Sequence, residues 1–422
     1  GYKAYWTDGS QVTAPHDRNI IAEVEKITSI DQILTGANPG NITLLGEEFD
    51  EIYLNKVHTL SLSPESVGKF HDMKIAYTPL HGAGVRLVPA SLRKWGFTNV
   101  SLVEEQAVID GNFPTVESPN PEERKTMAKA IELGSRLGAD LVLATDPDSD
   151  RIGVALRNAK GEYVLLNGNQ TLSLIMAYQL TRWSELGRLD GKEFVVKTIV
   201  TSQMPNVMAA HFGVKCYDCL TGFKYIARII RNNEGKATYI GGGEESFGYL
   251  AGDFVRDKDA VSACSLVAEA AAWDRDTMGL TLYEWLQKLY VEFGFFREGL
   301  VSVVRKGMEG AAEIQRMMVD YRADPPREIA GSPVVKINDF KLLESTDVRT
   351  GAKTPIEEEA SNVLQWFAAD GTVVSVRPSG TEPKIKFYFG VRAELESVAD
   401  FDRVEAGLDA KIETIKKELK LV

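Results

Sequence analysis

The sequence predicts an α/β protein of several domains, with mixed sheets flanked by helices and a C-terminal α+β domain. Two observations carry this. Strand-like and helix-like stretches alternate through most of the chain, the rhythm of open α/β sheets. The 422 residues exceed one ordinary core, and a length prior of about 100–200 residues per domain gives two to four domains.

The elements follow in order. "MKIAYTPLHGAG" reads as a short buried strand turning into a glycine-containing loop, with a helix around Leu87–Trp95 and a strand at "NVSLVEE". "PEERKTMAKAIELGSRLG" places Met127, Ala130, Ile131 and Leu137 at helical spacing and predicts a helix from Pro121, followed by the strand "ADLVLATD". "EFVVKTIVTS" is a strand, "MPNVMAAHFG" a helix, "VKCYDCLTGF" a strand and loop, and "KATYIGGGEESFGYL" a strand entering a glycine-rich loop. Helices follow at "DAVSACSLVAEAAAW" and "TLYEWLQKLYVEFG". Beyond them the strands "EGLVSVVRK", "SPVVKINDF", "GTVVSVRPSG" and "KIKFYFGV" predominate, with helices near "MEGAAEIQRMMVDYR" and "SVADFDRVEAGLDAKIETIKKELK".

A net charge of −12 argues against nucleic-acid or anionic-membrane partners, which reward a basic face, but leaves small anionic substrates open. No apolar run reaches the ~20 residues of a membrane span. Three cysteines are too few for a disulfide scaffold and suit a reducing cytoplasm. Cys216 and Cys219 form a C-x-x-C without a second ligand pair or a redox context, so they read as ordinary cysteines near a strand end.

Three loops carry chemistry. In "ATDPDSDR", Asp146, Asp148 and Asp150 alternate after a buried strand, with Arg151 behind. Carboxylates at this spacing lie roughly 6–7 Å apart on an extended chain, and each ionised pair repels by roughly 2–3 kcal/mol. A cation therefore belongs in the loop. A calcium loop of the EF-hand kind would need glycine and glutamate where Arg151 and Arg157 stand. A dehalogenase-type phosphatase also uses D-x-D after a strand, but its usual continuation is replaced here by Asp150 and Arg151. A solvated acidic turn explains neither the spacing nor the strand. An all-oxygen site beside an arginine suits Mg²⁺ shared with a phosphate.

In "GGGEESFGYL", Gly241, Gly242 and Gly243 are expected to let the backbone approach a ligand, with Glu244 and Ser246 reading sugar hydroxyls; a plain glycine-rich turn is the alternative. In "VRPSGTEP", Arg377 offers a planar fork, while Ser379, Gly380 and Thr381 offer hydroxyls and approachable N–H groups to a non-reacting phosphate. The alternative there is a turn between strands.

Together these loops, in this order, make the chain resemble the α-D-phosphohexomutase family of phosphoglucomutases and phosphomannomutases. D-x-D-x-D-R matches Asp146–Arg151, G-E-x-S matches Gly243–Ser246, and R-x-S-G-T-E-P matches Arg377–Pro383; "TPLHGAG" and "LTGFKYI" are also similar. The opening "GYKAYWTDGSQVTAPHD" is closest to the long phosphoglucomutase and phosphopentomutase subgroup.

The resemblance implies four domains around one cleft: a remnant of the first at 1–46, the metal loop in 47–186, the sugar loop in 187–297 and the phosphate loop in 298–422. It implies a mutase moving a phosphoryl group between C1 and C6 of a hexose phosphate, most naturally glucose 1-phosphate and glucose 6-phosphate. The route would use a phosphoserine, Mg²⁺ and a bound glucose 1,6-bisphosphate. It further implies that Lys3 lies beside the serine, that Arg151 contacts the reacting phosphate, that Lys258 assists proton transfer, and that Thr221 and Gly222 touch the ligand. The family's serine motif falls directly ahead of Gly1, so these residues alone are expected to bind phosphosugar without turning it over. The alternatives are a phosphomannomutase, a phosphopentomutase, a phosphatase using the aspartate loop, or a non-catalytic phosphosugar-binding fragment.

Overall fold

The computed structural model describes residues 3–33, 35–36, 40, 42–305, 307–379 and 383–421. It divides into two compact units. One holds Gly1–Lys197 with Phe212–Tyr217 and Gly222–Tyr283; the other holds Thr198–His211, Asp218–Thr221 and Glu284–Val422.

The first unit contains a five-stranded sheet of β1 (Ile75–Thr78), β2 (Val100–Leu102), β3 (Leu141–Thr145), β4 (Ile152–Arg157) and β5 (Tyr163–Leu165), in the order β2-β1-β3-β4-β5. β1 runs parallel to β2 and β3, β4 antiparallel to β3, and β5 antiparallel to β4. β1 and β3 are wholly buried, which explains their continuous apolar runs: a strand covered on both faces needs no polar alternation. The helices Gly84–Trp95 and Ala128–Leu137 connect the parallel strands, and each stops at a left-handed glycine, Gly96 and Gly138.

The second sheet is built from β6 (Glu193–Thr198), β7 (Lys215–Cys219), β8 (Thr238–Gly243) and β9 (Tyr249–Ala251), in the order β7-β6-β8-β9. Helix Ala260–Met278 is buried along most of its length, and Asp259 caps it by accepting from the Val261 and Ser262 backbone N–H groups. Helix Gly168–Glu185, buried from Gly168 to Leu180 except at Gln170, has no amphipathic stripe; an Asn167–Gln170 capping box starts it.

The second unit is a largely antiparallel eight-stranded sheet formed by β10 (Phe295–Val304), β11 (Glu328–Ile329), β12 (Ser332–Asp339), β13 (Glu344–Asp347), β14 (Lys353–Pro355), β15 (Leu364–Ala368), β16 (Val373–Pro378) and β17 (Lys384–Ala393). Helices Gly307–Ala323 and Phe401–Glu418 accompany it. Among the described residues no helix is long and apolar enough to cross a membrane.

Two expectations need correction. The helix anticipated from Pro121 begins at Ala128. Asn120 instead accepts from the Glu122 N–H through its side chain and from the Glu123 N–H through its carbonyl, a turn that competes with helix. The glycines 241–243 are the end of strand β8 rather than a loop. A Cβ on Gly241 would lie 2.5 Å from Gln179 Oε1 and the Tyr249 hydroxyl; one on Gly242 or Gly243 would overlap the carbonyl of Val196 or Gly248. Their role is close packing within the sheet.

Candidate active site

The metal loop leaves the buried end of β3 and curls immediately. Asp146 Oδ1 accepts from the backbone N–H of Asp150 at 3.0 Å and of Arg151 at 2.9 Å. Ser149 takes a left-handed φ of 58°. This curl brings one oxygen each from Asp146, Asp148 and Asp150 within 4.8 Å of one another. The loop is seated from three sides. The Ala83 N–H donates to Pro147 O at 2.8 Å, Ala260 N–H to Ser149 O at 3.1 Å and Ile152 N–H to Phe247 O at 3.0 Å. Gly82 has to be glycine, because a Cβ would overlap the Pro147 backbone. "TPLHGAG" is thus a platform for the aspartate loop.

Three cationic side chains converge there. Lys3 Nζ lies 3.0 Å from Asp150 Oδ2 and 3.8 Å from both Asp148 and Asp257. Lys258 Nζ lies 3.0 Å from Asp150 and 3.1 Å from Asp257. Arg151 Nε lies 3.8 Å from Asp146 and Asp150, and its Nη1 donates to Glu122 Oε1 at 2.9 Å. Burial, then the charge of Asp150, pushes the Asp146 carboxyl up to about 7. Burial also acts upward on Asp150, but Lys258 and Lys3 outweigh it and hold that carboxyl below its usual range. For Lys258, burial works against the ammonium, yet Asp257, Asp150 and Glu244 outweigh it and raise the pKa.

The donor set fits a hard divalent cation. All three groups are carboxylates, and ammonium nitrogens already crowd them. One oxygen from each lies within 4.8 Å of the others, and Mg²⁺, which takes oxygen ligands at about 2.1 Å, would draw the trio closer together.

Glu244 follows β8. It is buried, its Oε1 accepts from the Gly222 N–H at 2.8 Å, and its own N–H donates to Gly248 O at 2.9 Å. Burial pushes its carboxyl up, opposed chiefly by Lys258. Gly222 has φ 122°, which favours glycine, and Ser246 is half-buried. The Thr221 hydroxyl is buried with no hydrogen-bond partner among the described residues.

The phosphate loop belongs to the second unit. Arg377 sits near the end of β16 opposite Lys386 of β17, and the Ser379 N–H donates to Lys384 O at 2.8 Å. Gly380 and Thr381 lie outside the described residues. The structure therefore gathers Lys3, Asp146, Asp148, Asp150, Arg151 and Lys258 into one cluster, with Gly222 on Glu244. The sequence reading missed Glu122, Asp257 and Tyr5, whose hydroxyl donates to Asp257 at 2.6 Å. Of these only Asp257 carried any signal, its adjacency to Lys258.

These features define an α/β protein of several sheets, with a loop of three aspartates beside three cationic side chains. The pattern "Phosphoglucomutase/phosphomannomutase, alpha/beta/alpha domain II" matches residues 51–161, "alpha/beta/alpha domain III" residues 167–293, and "C-terminal domain" residues 335–408. Phosphoglucomutases of Staphylococcus aureus strains MRSA252 and N315 are 33% identical over 98% of this chain and 72% of their own length. Among solved structures, the open form of the Paramecium phosphoprotein pp63/parafusin (phosphoglucomutase) aligns over 93% of this chain and 68% of its own, at 15% identity and TM-score 0.57. A phosphoglucomutase/phosphomannomutase family protein of Burkholderia thailandensis aligns over 85% and 65%, just under two thirds of that chain, at 18% identity and TM-score 0.54. The chain belongs to the phosphoglucomutase/phosphomannomutase family, within the α-D-phosphohexomutase superfamily.

Proposed function

We propose that the protein is a Mg²⁺-dependent phosphosugar mutase that exchanges a phosphoryl group between C1 and C6 of a hexose phosphate, with glucose 1-phosphate and glucose 6-phosphate as its pair. The observation that carries this reading is the convergence of Asp146, Asp148 and Asp150 beside Lys3, Lys258 and Arg151. The phosphoryl group would pass through a phosphoserine and a bound glucose 1,6-bisphosphate. The S. aureus relatives named phosphoglucomutases favour glucose over mannose or pentose phosphates.

The three aspartates would hold the metal. Mg²⁺, when bound, supplies charge neutralisation at the phosphoryl oxygens. Arg151 would meet the transferring group with its guanidinium, and Lys3 would add a second positive charge. Lys258, which pairs with two carboxylates, would move a proton at the sugar oxygen that gains or loses the phosphoryl group. Glu244 and Ser246 would accept and donate hydrogen bonds to sugar hydroxyls, with Thr221 and Gly222 alongside. Arg377 and Ser379, with Gly380 and Thr381, would anchor the distal phosphate. The four-part division at 1–46, 47–186, 187–297 and 298–422 goes with this reading. Its support is that the strands of the first sheet fall at 75–165, those of the second at 193–251 and those of the third at 295–393. Three cysteines in 422 residues, too few for a disulfide scaffold, suit a cytoplasmic setting.

A calorimetric titration with Mg²⁺ tests the metal role directly. Binding that Asp148→Asn weakens at least tenfold supports it; equal binding by both proteins contradicts it. A second reading, a phosphatase using the aspartate loop, requires Asp146 as a free nucleophile, whereas its Oδ1 is engaged by two backbone N–H groups.

A further inference from the structure

We infer that Asp257 is a positioning residue: it holds the ammonium groups of Lys258 and Lys3 beside the aspartate trio, so that a divalent cation can displace them from Asp150. The inference rests on the reading of Asp146, Asp148 and Asp150 as metal ligands.

The geometry is a shared clamp. Both ammonium groups sit 3.0 Å from the same oxygen, Asp150 Oδ2. Each also faces Asp257, Lys258 at 3.1 Å on Oδ1 and Lys3 at 3.8 Å on Oδ2. A cation taking up Asp150 through Oδ2 confronts two like charges at close range and has to drive them off that oxygen. Asp257 lies outside the trio and already touches both, so it is the carboxylate that can keep them.

Asp257 is itself fixed. Its Oδ2 accepts from the Tyr5 hydroxyl at 2.6 Å and its Oδ1 from the Lys258 backbone N–H at 2.9 Å. The Lys258 stem is fixed too, because it lies so close over Gly248 that a Cβ there would overlap it. Its nitrogen stands 5.4 Å from the Phe223 ring centre. A short swing from Asp150 toward Asp257 is therefore the movement open to both lysines. It leaves them near the site, with their charge still available to a phosphoryl group.

The test is a double-mutant cycle read by Mg²⁺ calorimetry, which needs no turnover. Asp257→Asn should weaken Mg²⁺ binding about five- to tenfold, because the released lysines settle on Asp150. Asp257→Glu, which keeps the carboxylate, should stay within about twofold of the parent. In a Lys3→Met/Lys258→Met background the Asp257→Asn loss should shrink to less than about twofold. Should that background fold poorly, Lys258→Met alone should cut the loss at least by half. An undiminished loss in the lysine-free background would overturn the inference, since Asp257 would then act by its field alone. No loss in the parent would overturn it as well. Asp148→Asn separates the two levels. If it leaves Mg²⁺ binding untouched, the metal reading itself fails; if it abolishes binding while the cycle shows no coupling, only the role of Asp257 fails.

Discussion

Arg151 donates from Nη1 to Glu122 Oε1 at 2.9 Å across 29 residues of sequence, while its Nε faces Asp146 and Asp150 at 3.8 Å. The guanidinium is thereby stretched between the aspartate loop and a carboxylate from the turn ahead of helix Ala128–Leu137. The pair is about one-third exposed, so its net worth is small, on the order of 1 kcal/mol or less. Its value lies in aim. Glu122→Gln should lower kcat about three- to tenfold and leave thermal stability nearly unchanged. Steady-state kinetics beside a melting curve check this, and unchanged kcat would remove Glu122 from the site.

With Asp146 as a ligand, its raised carboxyl would make metal binding a proton exchange. At a pKa of about 7 the group carries a proton in mildly acidic solution, and a metal-ligating carboxylate has to lose it. Mg²⁺ affinity should therefore rise with pH up to about 7 and level off above it, falling about tenfold per unit well below that point. Calorimetry in buffers of different ionisation enthalpy reads the released proton: near one per ion at pH 6, near zero at pH 8.5. Constant release across that range contradicts the assignment.

Arg377 is expected to grip a phosphate that does not react. Arg377→Ala should raise KM for the sugar phosphate about tenfold or more, with a smaller change in kcat. An unaltered KM would count against the anchor.

The packing role of the β8 glycines gives a stability prediction. Gly242→Ala would drive a methyl group into the Val196 carbonyl of the adjacent strand. The cost should be about 3 kcal/mol or more, read as a large drop in the melting temperature or loss of folded protein. A methyl tolerated there would restore the view that these glycines serve a ligand.

That correction shows where the sequence was legible. The aspartate trio could be read because its spacing and the buried strand ahead of it are local. β1 and β3 could be read because full burial leaves an unbroken apolar run. Gly241–Gly243 were misassigned because glycine is poor in strands by propensity, and its reason here, Gln179, Val196, Tyr249 and Gly248 pressing close, lies partly in other elements. Helix Gly168–Glu185 escaped notice because burial on all sides erases the 3.6-residue stripe. Glu122 was hidden inside a presumed helix that Asn120 replaces with a turn. Asp257 acts with Tyr5, 252 residues away, and no spacing rule reaches that far.

The most direct test of the central claim is phosphorus NMR of the protein as its cell makes it, given glucose 1-phosphate, a trace of glucose 1,6-bisphosphate and Mg²⁺. The account predicts conversion to glucose 6-phosphate that stops on chelation of the metal and falls by orders of magnitude in Asp148→Asn. Net release of inorganic phosphate without the isomer, or isomerisation indifferent to both Mg²⁺ and Asp148, would contradict it.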